Sequence, residues 1–535
     1  MKPEIAIALS GGGYRAAMFH LGTLTYLHQL YDENSNSFLD MVNAISTISG
    51  GTITGLWYML QYANDNVSED SFKQLYEKLR DSQVIEQGLK RMHENSSDSF
   101  IKEMVQVYDK VFFNNACFSE ILDKIDNGHI HHFSANGTDF SNGFAFRFQA
   151  SRKIVNTDPK FKRGIIGNKE HRLSWDIARK IKLSEILAVS SCFPAGFEPM
   201  FFPSDFEISK DKTLQDSLES IKDDIPLMDG GIVDNQGIEP ILLANAQMQF
   251  DDERAKGIKD FPCHDLIIVS DVSHPKTESF KKDVVVSKNK VTLDNIDLFI
   301  DVSVVVCLAL CVLFHFIGYS FLLGFFVCIV VLLAILRIVS LKLKSLIKRK
   351  LKNSPISINV KYLWKYPVSN YWVLMKNRGK SFLQLSKAIF MKPIRQMRYK
   401  ALYESRVWKN RRITNTIYEL TNEYGSWKKK LENGKIPAWL APSEAMQEIS
   451  GKATEMGTTL WFTQKERDKG IPEALLACGQ FTICMNLLEY IEKLKHDSQN
   501  TTEAHKELMG YENKLKEDWD KFNANPFWIV ESFTK

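Results

Sequence analysis

The stretch Ile5-Ala-Ile-Ala-Leu-Ser-Gly-Gly-Gly-Tyr-Arg15 (IAIALSGGGYR) joins a short apolar run to three consecutive glycines. The apolar residues 5–9 predict a buried β-strand, and the spacing of apolar residues over 14–30 predicts an α-helix directly after the glycines. A glycine loop between a strand and a helix directs backbone N–H groups and the positive end of the helix dipole towards an anion. The stretch therefore predicts an α/β fold with an anion-binding loop, suited to a phosphate or to an oxyanion.

A second strand, tight turn and helix follow in residues 43–52, NAISTISGGT. Residues 41–45 predict a strand and residues 51–62 predict a helix, and strands that alternate with helices favour a parallel sheet. Ser49 occupies the turn, where the residues that follow must be small because the strand and helix backbones come close together. Ser49 is therefore either an exposed nucleophile or an ordinary helix N-cap.

The turn departs from the usual G-x-S-x-G pattern of a nucleophile elbow. Gly51 stands two residues after Ser49 as the pattern requires, but Thr47 occupies the position two residues before it. The branched β-carbon of Thr47 crowds the approach of strand and helix. We expect either a turn that is slightly opened to fit this side chain or a low activity.

Two further features of the sequence leave alternatives open. Asp229 precedes two glycines, a pattern that is typical of a turn but that also suits a general base for a serine hydroxyl. Gly11 and Gly13 fit the first two glycines of the dinucleotide fingerprint G-x-G-x-x-G, with Ala16 in its last position. Nucleotide binding is therefore an alternative function for the glycine loop.

Taken together, S-G-G-G-x-R, S-G-G and D-G-G, in this order along the chain, resemble the motifs of the patatin-like phospholipases. The resemblance covers roughly residues 4–275 and weakly resumes at 456–490. It implies a three-layer α/β sandwich around a central, mainly parallel sheet, and a Ser–Asp dyad that works without histidine, metal or cofactor. The site residues that it implies are the nucleophile Ser49, the base Asp229, the elbow glycines Gly50 and Gly51, and the oxyanion hole formed by Gly11, Gly12, Gly13 and Arg15.

Two histidine-based alternatives compete with this dyad. A Ser–Asp–His triad could form from Ser49, Asp271 and His274, which follow one another in that order. We expect Asp271 and His274 to be polar residues at a strand end instead. A metal site could form at the cluster His129, His131 and His132, but its glycine- and asparagine-rich surroundings favour a solvated loop.

The composition of the chain limits the classes of protein to which it can belong. The chain has 535 residues, 44% hydrophobic and 25% charged, as expected of a folded protein. Its net charge of +4 gives no sign of nucleic-acid binding. The eight cysteines form no C-x-x-C pair, which favours reduced thiols over a zinc site or a disulfide framework. The N-terminus lacks the pattern of a secretory signal.

Residues 302–336 contain no Asp, Glu, Lys or Arg. This run is too long for one membrane span of about 20 residues and short for two. The only plausible turn is Gly318-Tyr319-Ser320, so we predict two short transmembrane helices, about 302–317 and 320–338. A basic cluster follows from Arg337, which is typical of a cytoplasmic flank. Both flanks are expected on the cytoplasmic side.

The predicted organisation has four parts. Residues 1–290 form most of the catalytic domain, 298–340 the transmembrane segment, 341–455 a basic, largely helical connector, and 456–535 a return to the catalytic domain with a helical tail. Within these parts the pattern predicts mostly helix over 64–140, helical runs over 381–424, a strand at Thr458-Thr-Leu-Trp-Phe462, and a helix over 471–491.

The sequence as a whole predicts a membrane-anchored serine hydrolase. Its expected substrate is a membrane phospholipid or lysophospholipid in the bilayer, and its expected reaction is the cleavage of fatty-acyl esters. The alternatives are a nucleotide- or phosphate-binding protein that uses the Gly11–Gly13 loop, and a catalytically inactive membrane scaffold of the same fold.

Overall fold

The computed structural model of the chain describes residues 2–534 except 154–163, 195, 215–217, 219–220, 222, 251, 253–255, 258–260, 277–278, 285–290, 353–363, 386–388, 390 and 497–501. Two compact units emerge from its contacts. The first, here called the catalytic unit, combines Met1–Thr277 with Ala388–Lys535, and the second, here called the hairpin unit, is Glu278–Lys387.

The catalytic unit is built on one eight-stranded sheet. Its strands are β1 (Ile5–Leu9), β2 (Val42–Ile48), β3 (His132–Asp139), β4 (Phe144–Ser151), β5 (Met200–Phe202), β6 (Ile225–Asp229), β7 (Leu266–Asp271) and β8 (Arg412–Thr416). The order across the sheet is β5-β6-β3-β2-β1-β7-β8, and β4 pairs with β3. The five neighbours β3, β2, β1, β7 and β8 run parallel, whereas β4, β5 and β6 pair antiparallel.

Helices surround this sheet and make up the rest of both units. They are α1 (Gly13–Gln29), α2 (Gly50–Ala63), α3 (Glu69–Asp81), α4 (Val84–Asn95), α5 (Phe100–Tyr108), α6 (Phe118–Ile125), α7 (Trp175–Lys180), α8 (Leu183–Ser191), α9 (Gly231–Asp234), α10 (Ile238–Met248), α11 (Leu293–Ile317), α12 (Ser320–Lys352), α13 (Val368–Gln384), α14 (Met391–Tyr403), α15 (Trp427–Glu432), α16 (Glu444–Glu455), α17 (Gln464–Asp468), α18 (Ile471–His496), α19 (Glu503–Met509), α20 (Glu512–Ala524) and α21 (Val530–Thr534). The predicted α/β class with a central, mainly parallel sheet is confirmed.

The C-terminal helix α18 packs closely along α1, the helix that follows the glycine loop. A β-carbon on Gly22 would lie 2.1 Å from the carbonyl oxygen of Leu476, and one on Gly479 would lie 2.0 Å from that of Phe19. Only glycine therefore allows the two helix backbones to approach this far. Strand β8 also comes from the C-terminal part of the chain and pairs with β7. The first 277 residues thus depend on residues after 388 to complete their sheet and core.

The hairpin unit contains the predicted pair of apolar helices. Helix α11 ends at Gly318, whose φ of 84° is the left-handed conformation that glycine adopts readily at a helix end. Helix α12 then runs back, and the rings of Phe314 and Phe326 stack at 5.6 Å between the two helices. At the other end of the pair, Arg337 on α12 contacts Asp297 at 3.0 Å and Asp301 at 2.8 Å on α11.

Three described helices are long and apolar enough to cross a membrane, Leu293–Ile317, Ser320–Leu346 and Ile471–His496. The first two are largely exposed, with 17% and 0% of their most apolar windows buried. The third, α18, is 94% buried inside the catalytic unit. Its apolar surface is therefore covered by protein, and α18 is a core helix.

One predicted strand is wrong, and two helical predictions hold only in part. Residues 458–462 form a loop and no strand, because this segment crosses the glycine loop instead of pairing with the sheet. The mostly helical prediction over 64–140 is confirmed by α3 to α6 but misses β3, and the helical prediction over 381–424 misses β8. Both strands are rich in polar residues, so they lack the apolar alternation that normally identifies a strand. The predicted helix over 471–491 is confirmed as part of α18.

Candidate active site

Ser49 occupies a strained turn between β2 and α2. Its backbone has φ 49° and ψ −118°, a combination that non-glycine residues rarely adopt and that costs about 1–3 kcal/mol. Its side chain makes no capping hydrogen bond to the described residues of α2. The sequence left open a helix N-cap or a nucleophile, and the observed backbone has the conformation of a nucleophile elbow.

A network of hydroxyl groups beneath the turn holds Ser49 in place. Its backbone N–H donates to Oγ of Ser190 at 3.0 Å, and Ser190 in turn donates to the carbonyl oxygen of Asn136 at 2.8 Å. The hydroxyl of Thr52 lies 2.8 Å from the same Ser190 oxygen. Ser190 begins the stretch Ser190-Ser-Cys-Phe-Pro194, which resembles an S-S-x-x-P motif of the patatin-like phospholipases. Neither spacing nor composition could assign Ser190 this contact.

Thr47 fits into the elbow because of a glycine on α2. A β-carbon on Gly55 would lie 2.2 Å from Cγ2 of Thr47, so the missing side chain of Gly55 leaves the space that the threonine methyl fills. The threonine hydroxyl donates to the carbonyl oxygen of Ser134 at 3.3 Å and accepts from Thr52 at 3.1 Å. The crowding expected from Thr47 is therefore relieved at Gly55, eight residues further along the chain. The sequence motifs did not point to this glycine.

The glycine loop lies directly against Ser49. A β-carbon on Gly11 would lie 3.2 Å from that of Ser49, and one on Gly50 would lie 2.0 Å from the carbonyl oxygen of Gly13. Gly12 and Gly13 adopt φ values of 151° and 60°, which glycine reaches without steric cost. The structure therefore brings together the two glycine motifs that the sequence separates by more than thirty residues.

The amides of Gly11, Gly12, Gly13 and Tyr14 differ in whether they already donate a hydrogen bond. The N–H of Gly11 donates to the carbonyl oxygen of Asn235 at 3.0 Å, and the N–H of Tyr14 donates to that of Thr459 at 2.7 Å. Within the described part of the chain, no group accepts a hydrogen bond from the N–H of Gly12 or Gly13. These two amides are the ones left to bind an oxyanion.

Arg15 is turned towards the C-terminal part of the chain. Its Nη1 donates to the carbonyl oxygen of Met456 at 2.6 Å, and the residue is buried. Burial lowers the pKa of its guanidinium to about 10, with Asp271 acting in the opposite direction. This contact fastens the start of α1 to the segment whose Thr459 closes the glycine loop, so Arg15 fixes the loop.

Asp229 ends β6 and lies beside Ser49. Its Oδ1 accepts from the N–H of Gly231 at 2.7 Å. Burial raises the pKa of Asp229 to about 6, against the lowering effect of the nearby Ser49 hydroxyl and of the Gly231 N–H. Its own N–H donates to the carbonyl oxygen of Cys192 at 2.9 Å. The stretch that begins at Ser190 therefore positions both members of the Ser–Asp pair.

The alternative triad is not assembled. The carboxylate of Asp271 forms an ion pair with Arg395 at 2.8 Å. It also accepts hydrogen bonds from the hydroxyl of Tyr399 at 2.8 Å and from that of Ser273 at 2.6 Å. Although burial acts to raise the pKa of Asp271, Arg395 and the hydrogen bonds hold it below its usual range. Nδ1 of His274 lies 2.7 Å from the carbonyl oxygen of Lys276. Both residues are polar groups at the end of β7, as expected.

The histidine cluster leads into the sheet, and its last residue begins β3. His132 is buried in β3, His131 bonds Arg152 at 3.0 Å, and His129 packs edge-on against Tyr62. The prediction of a solvated loop is therefore wrong for His132. Among the described residues, no group of three His, Cys, Asp or Glu side chains is arranged to hold a metal ion.

Comparison with known proteins identifies the class. Residues 7–242 match the family model of the patatin-like phospholipases. Among solved structures, human GIVD cytosolic phospholipase A2 is similar at 16% identity and a TM-score of 0.23, over 35% of this chain and 28% of that protein. Its complex with methyl gamma-linolenyl fluorophosphonate and terbium chloride matches at 16% identity and a TM-score of 0.28, over 51% and 40%.

The complex of the same human enzyme with the fluorophosphonate alone matches at 15% identity and a TM-score of 0.28, over 51% of this chain and 40% of that protein. The chain thus spans less than half the length of these solved structures. No curated protein sequence matches it. The family model thus matches less than half of the chain, and the glycine loop, Ser49 and Asp229 all lie within the matched residues.

Proposed function

We propose that the protein is a serine lipid acyl hydrolase of the phospholipase A or lysophospholipase type, with Ser49 as nucleophile and Asp229 as general base. The observation that carries the proposal is the arrangement at the elbow. Ser49 lies in a strained turn, close enough to the buried carboxylate of Asp229 to lower its pKa, and next to two amides without an acceptor among the described residues. This arrangement has the parts that acyl transfer through a covalent intermediate requires.

In the proposed reaction, Ser49 Oγ attacks the carbonyl carbon of a fatty-acyl ester while Asp229 accepts its proton. The N–H groups of Gly12 and Gly13 bind the oxyanion of the tetrahedral intermediate, a contribution of roughly 3–4 kcal/mol per donor in comparable sites. Asp229 then returns the proton to the leaving alcohol. Water, activated by the same carboxylate, hydrolyses the acyl-enzyme and frees Ser49.

The proposal includes a membrane anchor. Helices α11 and α12 form an antiparallel pair whose exposed residues between 302 and 336 are mostly apolar, and a lipid bilayer is the environment in which such a surface is stable. A hairpin that crosses the bilayer twice returns the chain to the side on which it entered, as the catalytic unit requires. Both flanks are proposed to be cytoplasmic, since basic residues follow from Arg337. Protease protection that finds residues before 295 and after 350 on opposite faces would refute this topology.

The alternative of nucleotide binding receives no support from a specific contact. The Gly11–Gly13 loop lies against Ser49, and the space beside Gly13 is filled by the backbone of Thr459. A phosphate-binding loop would require neither contact.

The test is covalent labelling with a fluorophosphonate probe, which forms a bond only with an activated serine. The full chain in detergent should be labelled, and Ser49→Ala should not. Ser174→Ala is a matched control, because the Ser174 hydroxyl caps α7 and is not part of the network around Ser49. An unlabelled wild-type chain that is correctly folded would favour the inactive scaffold.

The activity is expected to depend on pH through Asp229. Because only the ionised carboxylate accepts a proton, kcat/KM should rise with pH through a midpoint of about 6 and fall about tenfold per unit below it. The pH–rate profile of a soluble p-nitrophenyl ester measures this. Asp234 is the control, since burial also raises its pKa to about 6 but Ser49 is not its partner. Asp234→Asn should leave the midpoint in place, and a flat profile would contradict the role of Asp229.

A further inference from the structure

The three glycines of the loop between β1 and α1 do not fix their own conformation. Glycine adopts positive and negative φ about equally readily, so Gly11, Gly12 and Gly13 leave the directions of their amides open. An oxyanion hole needs N–H groups whose directions are set before the reaction, because turning them in the transition state would cost free energy. Contacts from outside the loop therefore have to set these directions.

The first peptide unit of the loop is held at both of its ends. A peptide unit is planar and rigid, so a contact at its C=O and another at its N–H together fix its orientation. In the unit that joins Ser10 to Gly11, the carbonyl oxygen lies 2.9 Å from Nε2 of His20. The N–H of the same unit donates to the carbonyl oxygen of Asn235 at 3.0 Å. The next two units carry the amides proposed to bind the oxyanion, so their directions start from a fixed plane.

His20 reaches back to this peptide unit from about two turns inside α1. Because a carbonyl oxygen only accepts, Nε2 of His20 carries the ring proton and donates to Ser10. Nδ1 is then an acceptor, and it lies 2.9 Å from the hydroxyl of Ser270 in β7, which donates to it. Burial lowers the pKa of His20 to about 4, against the raising effects of the Ser10 carbonyl and of Asp271. The ring is therefore neutral at neutral pH and keeps this tautomer.

A chain of buried amides fixes the other side of the ring. Nδ2 of Asn486 on α18 donates to Oδ1 of Asn415 on β8 at 3.1 Å, and Nδ2 of Asn415 donates to Oγ of Ser270 at 3.4 Å. Each of these groups donates in the direction of His20, and His20 directs its own donor at the glycine loop. Buried polar groups that lack partners cost free energy, and here the hydrogen bonds run without a break from α18 to Ser10. The C-terminal part of the chain thus helps to orient the ring.

We propose that His20 is a positioning residue for the proposed oxyanion hole. By holding the Ser10 carbonyl, it directs the amides of Gly12 and Gly13 towards the oxyanion that forms at Ser49. The proposal rests on the proposed function, since it needs acyl transfer at Ser49. It requires no proton transfer by His20, which distinguishes this role from that of a histidine in a triad.

Two amide variants separate the roles of the two ring nitrogens. The amide nitrogen of His20→Gln lies close to the position of Nε2, so it still donates to Ser10 but offers Ser270 no acceptor. The amide oxygen of His20→Asn lies close to the position of Nδ1, so it still accepts from Ser270 but leaves Ser10 without its donor. Each variant keeps one of the two hydrogen bonds, so we expect similar unfolding temperatures for the two full chains in detergent. A purely structural histidine predicts activities that follow these temperatures.

Steady-state hydrolysis of a soluble p-nitrophenyl ester measures the effect. His20→Asn should lower kcat by about 10–100-fold and change KM by less than about threefold, because a misdirected donor weakens binding of the transition state more than binding of the ester. His20→Gln should keep kcat within about threefold of the wild type. Both variants should keep the midpoint of the pH–rate profile at about 6, since Asp229 is unchanged.

An unchanged kcat in His20→Asn, equal losses in both variants, or a shifted midpoint would each overturn the proposal. If His20→Asn does not fold, His20→Gln decides alone: a retained kcat supports the proposal, whereas a loss of more than about tenfold overturns it. A folded wild-type chain that hydrolyses no ester overturns the proposed function together with this proposal. An active wild type with an unaffected His20→Asn overturns this proposal alone.

Discussion

Ser49→Ala is expected to lower the hydrolysis of phospholipid vesicles and of a soluble p-nitrophenyl ester by at least about 10⁴-fold. The substitution removes the only atom that forms the acyl-enzyme and leaves the surrounding backbone contacts intact. Steady-state kinetics on both substrates measure the effect. A loss confined to vesicles would contradict the role of Ser49, since chemistry at the nucleophile does not depend on how the ester is presented.

The base is expected to contribute less than the nucleophile. Asp229→Asn keeps an oxygen for the Gly231 N–H but cannot accept a proton, so kcat should fall by about 10²–10⁴-fold. His274→Ala is the control, because its ring bonds to the backbone of Lys276 and it is not part of the proposed dyad. Retained activity in His274→Ala supports the dyad, whereas a loss comparable to that of Ser49→Ala would restore the triad with Asp271.

The second large effect is expected on stability, at Gly55. Alanine is favoured over glycine in a helix by about 1 kcal/mol, yet overpacking costs up to about 3 kcal/mol, so Gly55→Ala should lower the thermal unfolding temperature by roughly 2–4 °C. The reason is steric, because the new β-carbon would lie 2.2 Å from Cγ2 of Thr47, inside a core that cannot easily give way. Thermal unfolding of the full chain in detergent measures the shift.

Two further variants isolate this cause. Thr47→Ser removes only the Cγ2 methyl group and keeps the hydroxyl that bonds Ser134 and Thr52, so in combination with Gly55→Ala it should recover most of the loss. Gly451→Ala in α16 is the matched control, because a β-carbon there meets nothing within 4 Å. It should be neutral or slightly stabilising. Equal losses in Gly55→Ala with and without Thr47→Ser would contradict the steric explanation.

Local patterns in the sequence predicted the first strands and helices well. The glycines around residues 11 and 50 mark close backbone approaches, and the apolar spacing of α1 and α18 is strong enough to identify both helices. The strands β3 and β8 could not be predicted, because polar residues dominate them and pairing with β2 and β7 makes them strands. Tertiary pairing overrides local preference at such positions.

The same distinction between local pattern and tertiary contact applies to the residues proposed for the site. Ser49, Asp229 and the glycine loop stand in motifs, so the sequence could name them. Ser190 acts through a contact with Ser49, far away in the sequence, and Gly55 acts through a contact with Thr47, eight residues before it. A single sequence holds no signal for such contacts. The availability of the loop amides is likewise a tertiary property. Gly11 looks equivalent to its neighbours until Asn235 takes its N–H.

The Tyr14 N–H donates a hydrogen bond to the carbonyl oxygen of Thr459, which lies far along the chain. This contact has a consequence for the order of events during synthesis. A ribosome releases the glycine loop, Ser49 and Asp229 long before it releases residue 459, and the hairpin emerges between them. The nascent chain therefore carries every residue of the proposed dyad without the segment that closes its loop. A chain that stops before this point also lacks α18, which packs on α1. The catalytic unit is thus completed only after the apolar hairpin has left the ribosome, so the mature loop geometry arises when the proposed membrane anchor has already been made.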